Sequence, residues 1–291
     1  MNGYTLHQKI GEGGYSVVRK CTDDIGVRYA CKIVPKKQSN RPRVMHEVRV
    51  MERVRGSPKL VQLIDAGEDA ANFYIVQEWC RGGSVQDYIR KHGDYGENTV
   101  ASIIRGTLRG LCHMHDRGII HADVKCGNIF FGDLSADADI KLGDFGTALY
   151  MPDDGGFAEV GKLVGTPWYM APENLRYTYH ATSDVWSIGV VAYQLLCGFF
   201  PFDGKVINRI WAGILERDPT YAVDVWQNVS TDAKDFVQLC LQKDYTARPS
   251  ARECLNHPWL TRTDCSDRFK GTQLMYEKFV FKNDAAMTIH M

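Results

Sequence analysis

The chain has 291 residues and a mass of 32.9 kDa, with 44% hydrophobic, 11% aromatic and 24% charged residues; this excludes extensive disorder and fits one large domain or two modest ones sharing a cleft. Lys+Arg and Asp+Glu are each 35, so the formal net charge is zero and the overall field offers no attraction to nucleic acid or to a membrane surface. Nine scattered cysteines, none in a Cys-x-x-Cys pair and with no basic-then-apolar leader before them, read as free thiols in a reducing compartment, cytoplasmic with the nucleus not excluded.

The first eighty residues read mostly as strands. Gly11-Glu12-Gly13-Gly14-Tyr15-Ser16-Val17-Val18 follows a first strand and leads into a second, while Tyr29–Val34 and Phe73–Glu78 are short, apolar and β-rich. Val44, Val48 and Met51 fall on one face of a helix between them, with Glu47 beside that face. After Gly82-Gly83 the texture turns helical. Val100, Ile103, Ile104, Leu108, Leu111, Cys112 and His115 form a stripe after Asn98, with Gly118 as its stop. Trp186 to Phe202 carries no charge, but it is shorter than the about 20 residues a bilayer requires and ends at Pro201, so it reads as a core helix. A last amphipathic stretch, Ala233, Phe236, Val237, Cys240 and Leu241, starts behind a Ser230 cap. From Thr261 the chain is polar and irregular apart from Phe279-Val280-Phe281.

Taken alone, the glycine run is as consistent with a hairpin turn as with a phosphate cradle, and Lys32 in an apolar strand as consistent with a snorkelling side chain as with a ligand. No helix follows the glycines, which argues against a dinucleotide fingerprint and for a hairpin lid over phosphates. Three further clusters add chemistry: His121-Ala122-Asp123-Val124-Lys125-Cys126-Gly127-Asn128, then Asp144-Phe145-Gly146 across a hairpin, then Ala171-Pro172-Glu173. Phosphoryl transfer needs metal ligands, a carboxylate to orient the attacking hydroxyl, and a cation for the charge in flight. Asn128 and Asp144 offer hard oxygens for Mg²⁺, Asp123 the carboxylate and Lys125 the cation.

With these motifs in this order, residues 4 to 260 resemble the eukaryotic protein kinase family. The resemblance implies an α+β, bilobal protein kinase fold: a small β-rich lobe with one regulatory helix (1–80), a larger, mainly helical lobe (81–260), and a C-terminal tail (261–291), regulatory or a truncated junction. It implies ATP held by Gly11, Gly13, Ser16, Val18, Ala30, Lys32, Glu47, Glu78 and Cys80, with Lys32 and Glu47 as a lobe-bridging ion pair. It implies Asp123 as catalytic base, Lys125 beside it, Asn128 and Asp144 as Mg²⁺ ligands, Asp184 as anchor of the catalytic loop, and Arg248 as partner of Glu173. Lys125 and Gly165-Thr166-Pro167-Trp168-Tyr169 look like the serine/threonine branch. Ser16, the Gly82-Gly83 turn and Asn256-His257-Pro258-Trp259 look like the calcium/calmodulin-dependent group, including plant- and alga-type calcium-dependent kinases. No calcium loop follows: Asp133–Asp139 lacks the glycine and terminal glutamate of an EF-hand and reads as a solvated acidic hairpin. Protein substrates, control by a partner or by the tail, and a monomer complete the expectation.

Three residues depart from the family pattern. Ala122 replaces the usual arginine, Cys126 a frequent proline and Gly127 a frequent glutamate. Ala148 to Gly165 contains no Ser or Thr. A pseudokinase is disfavoured because Lys32, Glu47, Asp123, Asn128 and Asp144 are all present. A small-molecule phosphotransferase is disfavoured because Ala171-Pro172-Glu173 and Arg248 are the marks of a protein-substrate platform.

Overall fold

Period-two alternation in the first part of the chain builds a five-stranded antiparallel sheet from β1 (Tyr4–Gly13), β2 (Ser16–Asp23), β3 (Arg28–Pro35), β4 (Leu63–Glu68) and β5 (Asn72–Gln77), in the order β1-β2-β3-β5-β4. The computed structural model describes residues 3–92, 95–135, 137–204, 206–221 and 224–261. Alternate residues of β3 part to opposite faces. Cys31 joins Cys21, Tyr74 and Val76 on the outer face, while Ala30, Lys32 and Val34 face inward with Phe73 and Ile75. Against the inner side lies α1 (Arg41–Arg53), which buries Val44, Glu47, Val48, Val50 and Met51. Its start is written in Asn40-Arg41-Pro42: the Asn40 side chain accepts the Arg43 N–H at 3.1 Å, and Pro42 occupies the first turn, where its missing donor costs nothing.

The larger lobe begins at β6 (Gly83–Ser84) and α2 (Val85–His92), followed by α3 (Glu97–His115). The expected stripe of α3 is buried from Val100 to Cys112, with His115 partly buried, and Gly118 follows at φ +69°. Small strands come next: β7 (Ile119–Ile120), β8 (Ile129–Phe131), β9 (Ile140–Leu142), β10 (Leu149–Tyr150), β11 (Ala158–Glu159) and β12 (Thr178–Tyr179). Gly106 of α3 lets the β9 strand approach; a Cβ there would lie 2.5 Å from Cβ of Ile140. Then α4 (Ala181–Cys197) crosses the middle of the lobe, buried along nearly its whole length, which is why its sequence is apolar on every side. It stops at Gly198, left-handed at φ +81°. Among the described residues no helix is long and apolar enough to cross a membrane. Beyond α4, α5 (Ile207–Glu216) packs on the turns at Pro167–Tyr169 and Pro172–Arg176, α6 (Thr231–Cys240) and α7 (Ala251–Cys254) pack on α4, and α8 (Pro258–Thr261) packs on α3 and α6. The Ser230 hydroxyl caps α6 by accepting the Ala233 N–H at 3.1 Å.

In the expected acidic hairpin between β8 and β9, the Asp133 carboxylate turns back onto the Ser135 N–H and hydroxyl. The eight described cysteines are free and seven of them are buried. Cys265, the Phe279-Val280-Phe281 patch and the rest of the tail from Arg262 lie outside the described residues.

Glu173 and Arg248 meet in the interior as the sequence implied. Arg248 donates to both carboxylate oxygens of Glu173 (2.7 and 3.1 Å), to the Thr182 carbonyl (2.8 Å) and to the Gln242 carbonyl (3.0 Å); Ser183 adds a 2.7 Å hydroxyl bond to Glu173. With the arginine side chain fully buried, this fork is the only satisfactory environment for the carboxylate. Arg248→Ala leaves Glu173 buried and unpaired, and is expected to lower stability by about 3–5 kcal/mol, read by denaturant unfolding.

Candidate active site

The loop after β7 is held by a single carboxylate. Asp184, in the first turn of α4 and buried, accepts the His121 N–H on Oδ2 and the Ala122 N–H on Oδ1, both at 2.9 Å; Nε2 of His115 lies 2.8 Å from Oδ2. These bonds keep Ala122 at φ +63°, a region costing an L-residue about 1–3 kcal/mol. The His121 ring continues the chain of contacts. Its Nδ1 accepts the Asp123 N–H at 3.2 Å, so Nε2 carries the proton and donates to the Gly143 carbonyl at 3.0 Å. Gly165 passes so close that a Cβ would lie 2.4 Å from the Ala122 carbonyl oxygen, at φ +101°.

This scaffold presents Asp123. Its Oδ1 accepts the Thr166 hydroxyl at 2.7 Å, and its Oδ2 faces Lys125 Nζ at 2.9 Å and Asn128 Nδ2 at 3.2 Å. Lys125 also donates to the Thr166 hydroxyl at 2.8 Å. Asn128 donates from the same Nδ2 to the Asp123 carbonyl at 2.8 Å, which turns its Oδ1 away from Asp123 as an acceptor.

Across the cleft, Lys32 of β3 reaches Glu47 Oε1 of α1 at 2.7 Å and Asp144 Oδ1 at 2.9 Å. Asp144 stands at φ +61°, with Phe145 buried beneath it against the His121 ring. The Lys32 ammonium, against the opposing effect of burial, holds the Asp144 carboxyl well below the usual carboxylate range. Burial lowers the Lys32 ammonium, but Asp144 and Glu47 outweigh it and raise the group overall. Burial pushes the Glu47 carboxyl up, partly offset by Lys32. Three side chain–backbone bonds hold α1 and its exit to the large lobe: His46 Nε2 to the Ala148 carbonyl (2.7 Å), Arg53 to the Arg117 carbonyl (2.8 Å), and His113 Nε2 to the Val54 carbonyl (3.0 Å).

The strand register gathers the other expected residues. Gly11 pairs with Val18, Val18 with Lys32, and Gly13 with Ser16. Directly opposed and alternate residues share a face, so Gly11, Gly13, Ser16, Val18, Ala30 and Lys32 all lie on one side of the sheet, the side of Ile75. Glu78 and Cys80 lie in the connection between the lobes. The Glu78 carboxylate is spent on Lys141 at 2.9 Å, so only its backbone remains to meet a ligand. Burial pushes the Cys80 thiol up to about 12, which makes it inert. Cys126 is buried too, donating to Gln194 at 3.4 Å.

Sequence reasoning did not assign Thr166, His115, His121 or His46 a place in the site. The first three lie within or beside motifs, but a histidine in an apolar stripe and a threonine before a proline carry no signal of what they touch.

A family model for the protein kinase domain matches residues 4–260. Calcium-dependent protein kinase 29 of Arabidopsis thaliana is 35% identical over 270 residues, covering 91% of this chain and 50% of its own length. Calcium/calmodulin-dependent serine/threonine-protein kinase 1 of Oryza sativa subsp. japonica is 35% identical over 274 residues, covering 90% of this chain and 44% of its own. Calcium-dependent protein kinase 22 of the same rice is 36% identical over 272 residues, covering 90% and 46%. The chain belongs to the protein kinase family. Within it, the chain falls with the serine/threonine kinases of the calcium/calmodulin-dependent group, and it spans about half the length of these curated relatives.

Because the folded-state pKa of Asp144 is depressed, its stabilising contribution is present above the unfolded value, about 4, and is lost as pH falls through the lower folded value. Lys32→Met removes the cause. A carboxyl NMR titration is expected to show Asp144 moving up toward the ordinary carboxylate range in that variant, while exposed aspartates stay in place.

Proposed function

We propose that the chain transfers the γ-phosphoryl group of ATP to serine or threonine hydroxyls of protein substrates. The observation that carries this reading is Asp123, fixed by Thr166, Asn128 and Lys125 on one side of a cleft, with Lys32 on the other side, held by Glu47 and reaching across to Asp144. Asp123 orients the substrate hydroxyl and accepts its proton. Lys125 faces the charge on the transferring group. Lys32, steadied by Glu47, holds the non-transferred phosphates, under backbone amides of the Gly11–Ser16 hairpin. Val18 and Ala30 offer an apolar surface to the base, and the backbone of Glu78 and Cys80 its hydrogen-bonding edge.

The donor set fits Mg²⁺: Asp144 is ionised and half-exposed, and Asn128 has its amide nitrogen tied to Asp123 so that an oxygen is left to coordinate. When bound there, Mg²⁺ supplies neutralisation of phosphate charge. Residues 1–80 act as the ATP-binding lobe, 81–260 as the catalytic and peptide-binding lobe, and 261–291 as a tail open to a regulatory role. The relatives' names tie them to calcium, and control of this chain by a partner or by its tail is the corresponding proposal. Free thiols throughout the described residues support a reducing, cytoplasmic setting.

The activation segment, which runs between Gly146 and Ala171, is held by pairing along the chain. β10 pairs with β7, β11 with β12, and the Met151 N–H bonds the Gly118 carbonyl at 2.8 Å. Ala122 has no cation to receive a phosphate, and the flanking hydroxyls are engaged: Thr166 by Asp123 and Lys125, Thr147 by the His121 carbonyl at 3.5 Å.

Asp123→Asn is expected to lower kcat by about 10²–10⁴-fold while leaving ATP affinity nearly unchanged, since the lost base acts on the hydroxyl rather than on the nucleotide. Equal activity in that variant excludes the assignment. Treatment with a broad phosphatase, with complete dephosphorylation confirmed by mass, is expected to leave activity intact. A loss of about tenfold or more, restored by rephosphorylation between Thr147 and Thr166, excludes phosphate independence.

A further inference from the structure

Behind the catalytic loop, the polar side chain of Gln194 lies in the apolar interior of the large lobe. It projects from α4 and is 0% exposed. Its Oε1 accepts two donors, the Tyr169 hydroxyl at 2.7 Å and the Cys126 thiol at 3.4 Å, and this pair of donors sets the orientation of the amide. Its Nε2 has no partner among the described residues. Burying an amide with an unpaired N–H costs about 1–3 kcal/mol, a cost that an aliphatic side chain of similar volume avoids only by leaving the buried Tyr169 hydroxyl without its acceptor. Packing alone therefore does not account for a glutamine here.

The two donors come from the two segments that the reaction must keep in register. Cys126 directly follows Lys125 and lies in the turn closed by the Asn128 N–H on the Lys125 carbonyl at 2.9 Å. Tyr169 belongs to the turn closed by its own N–H on the Thr166 carbonyl at 3.0 Å. On the cleft side, Lys125 and Thr166 are already joined side chain to side chain at 2.8 Å. The contacts thus form a closed ring: Lys125 to Cys126 along the chain, across Gln194 to Tyr169, through the turn to Thr166, and back to Lys125. The cleft-side link is partly solvated; the link through Gln194 is buried. Cys126 is also one of the positions where this chain departs from the family pattern, and the proline often found there has no side-chain donor.

We propose that Gln194 is a positioning residue, which through one carboxamide oxygen clamps the catalytic loop at Cys126 to the substrate-facing turn at Tyr169 and so sets where a peptide hydroxyl meets Asp123. The proposal rests on the reading of the chain as a protein kinase. It gives Cys126 a function as a hydrogen-bond donor, although the thiol is inaccessible to reagents.

The test uses substitutions that remove one donor and little volume: Tyr169→Phe, Cys126→Ala, their double variant, and Cys126→Ser, which keeps a donor. Steady-state kinetics with a peptide mixture and with varied ATP are measured beside thermal melting on the full chain. A small displacement of reacting groups costs up to about 10²-fold in rate, so each donor deletion is expected to lower kcat/KM for peptide by about tenfold. KM for ATP should shift by less than about twofold. A clamp is broken by losing either end, so the double variant should be no worse than the poorer single one, and Cys126→Ser should recover most of the loss. Independent, additive losses that follow the melting temperature, with no recovery in Cys126→Ser, overturn the clamp in favour of simple packing. Variants all within about twofold of wild type overturn it as well. A wild-type chain that phosphorylates no peptide instead overturns the kinase reading itself, and the clamp with it.

Discussion

The carboxylate of Asp184 is the fixed point on which the catalytic half of this molecule depends. Burying a carboxylate without partners costs several kcal/mol, and here three polar groups converge on it, two of them backbone N–H groups of the catalytic loop. It also sits in the first turn of α4, where the helix dipole favours an anion. The helix is buried along its length, so the anchor is as rigid as the core. Ala122 can stay in a left-handed conformation only because both flanking amide bonds are held, and that twist turns Asp123 toward Thr166, Asn128 and Lys125. From His121 the same rigidity passes to Gly143 and so to Asp144.

The small lobe shares a continuous apolar core with this framework, and at the cleft the two are joined by charge. Lys32 has two carboxylate partners on elements from different parts of the chain, and the three groups support one ionisation pattern: the ammonium is stabilised, and Asp144 is kept ionised where a cation needs it. Neutral contacts reinforce the same placement. The histidine next to Glu47 bonds the carbonyl of Ala148, and two more side chain–carbonyl bonds tie α1 and its exit to the turn after α3. The order of the activation segment comes from strand pairing and from carbonyls, which are present whenever the chain is folded.

Much of this was legible beforehand because phosphate chemistry leaves few choices. A glycine hairpin, a strand lysine, a helix glutamate and three acid- or amide-bearing motifs offer the groups that phosphoryl transfer needs, and their resemblance to the protein kinase pattern implied the roles of Asp123, Lys125, Asn128, Asp144, Lys32 and Glu47. Periodicity likewise exposed α3, α4 and α6, since helices that bury a stripe or a whole surface must repeat apolar residues accordingly. Asn40 and Pro42, by contrast, carried the start of α1 in plain view, and the Val44–Met51 pattern drew attention past them.

What the sequence determined by itself was therefore the chemistry on offer and the elements that carry it. The tertiary structure alone decided the partners that no motif implied. His115 reads as one position in an apolar stripe, and only the crossing of α3 and α4 brings it to Asp184. Thr166 reads as a residue before a proline, and only the return of the activation segment sets its hydroxyl on Asp123. Gln194 lies in an apolar run with nothing to mark it, until folding stacks the catalytic loop and the Tyr169 turn against the same face of α4. Local periodicity records which side of an element is buried. It holds no record of which distant side chain completes a hydrogen bond, because that depends on how whole elements cross, and the crossing is settled by packing of the entire core.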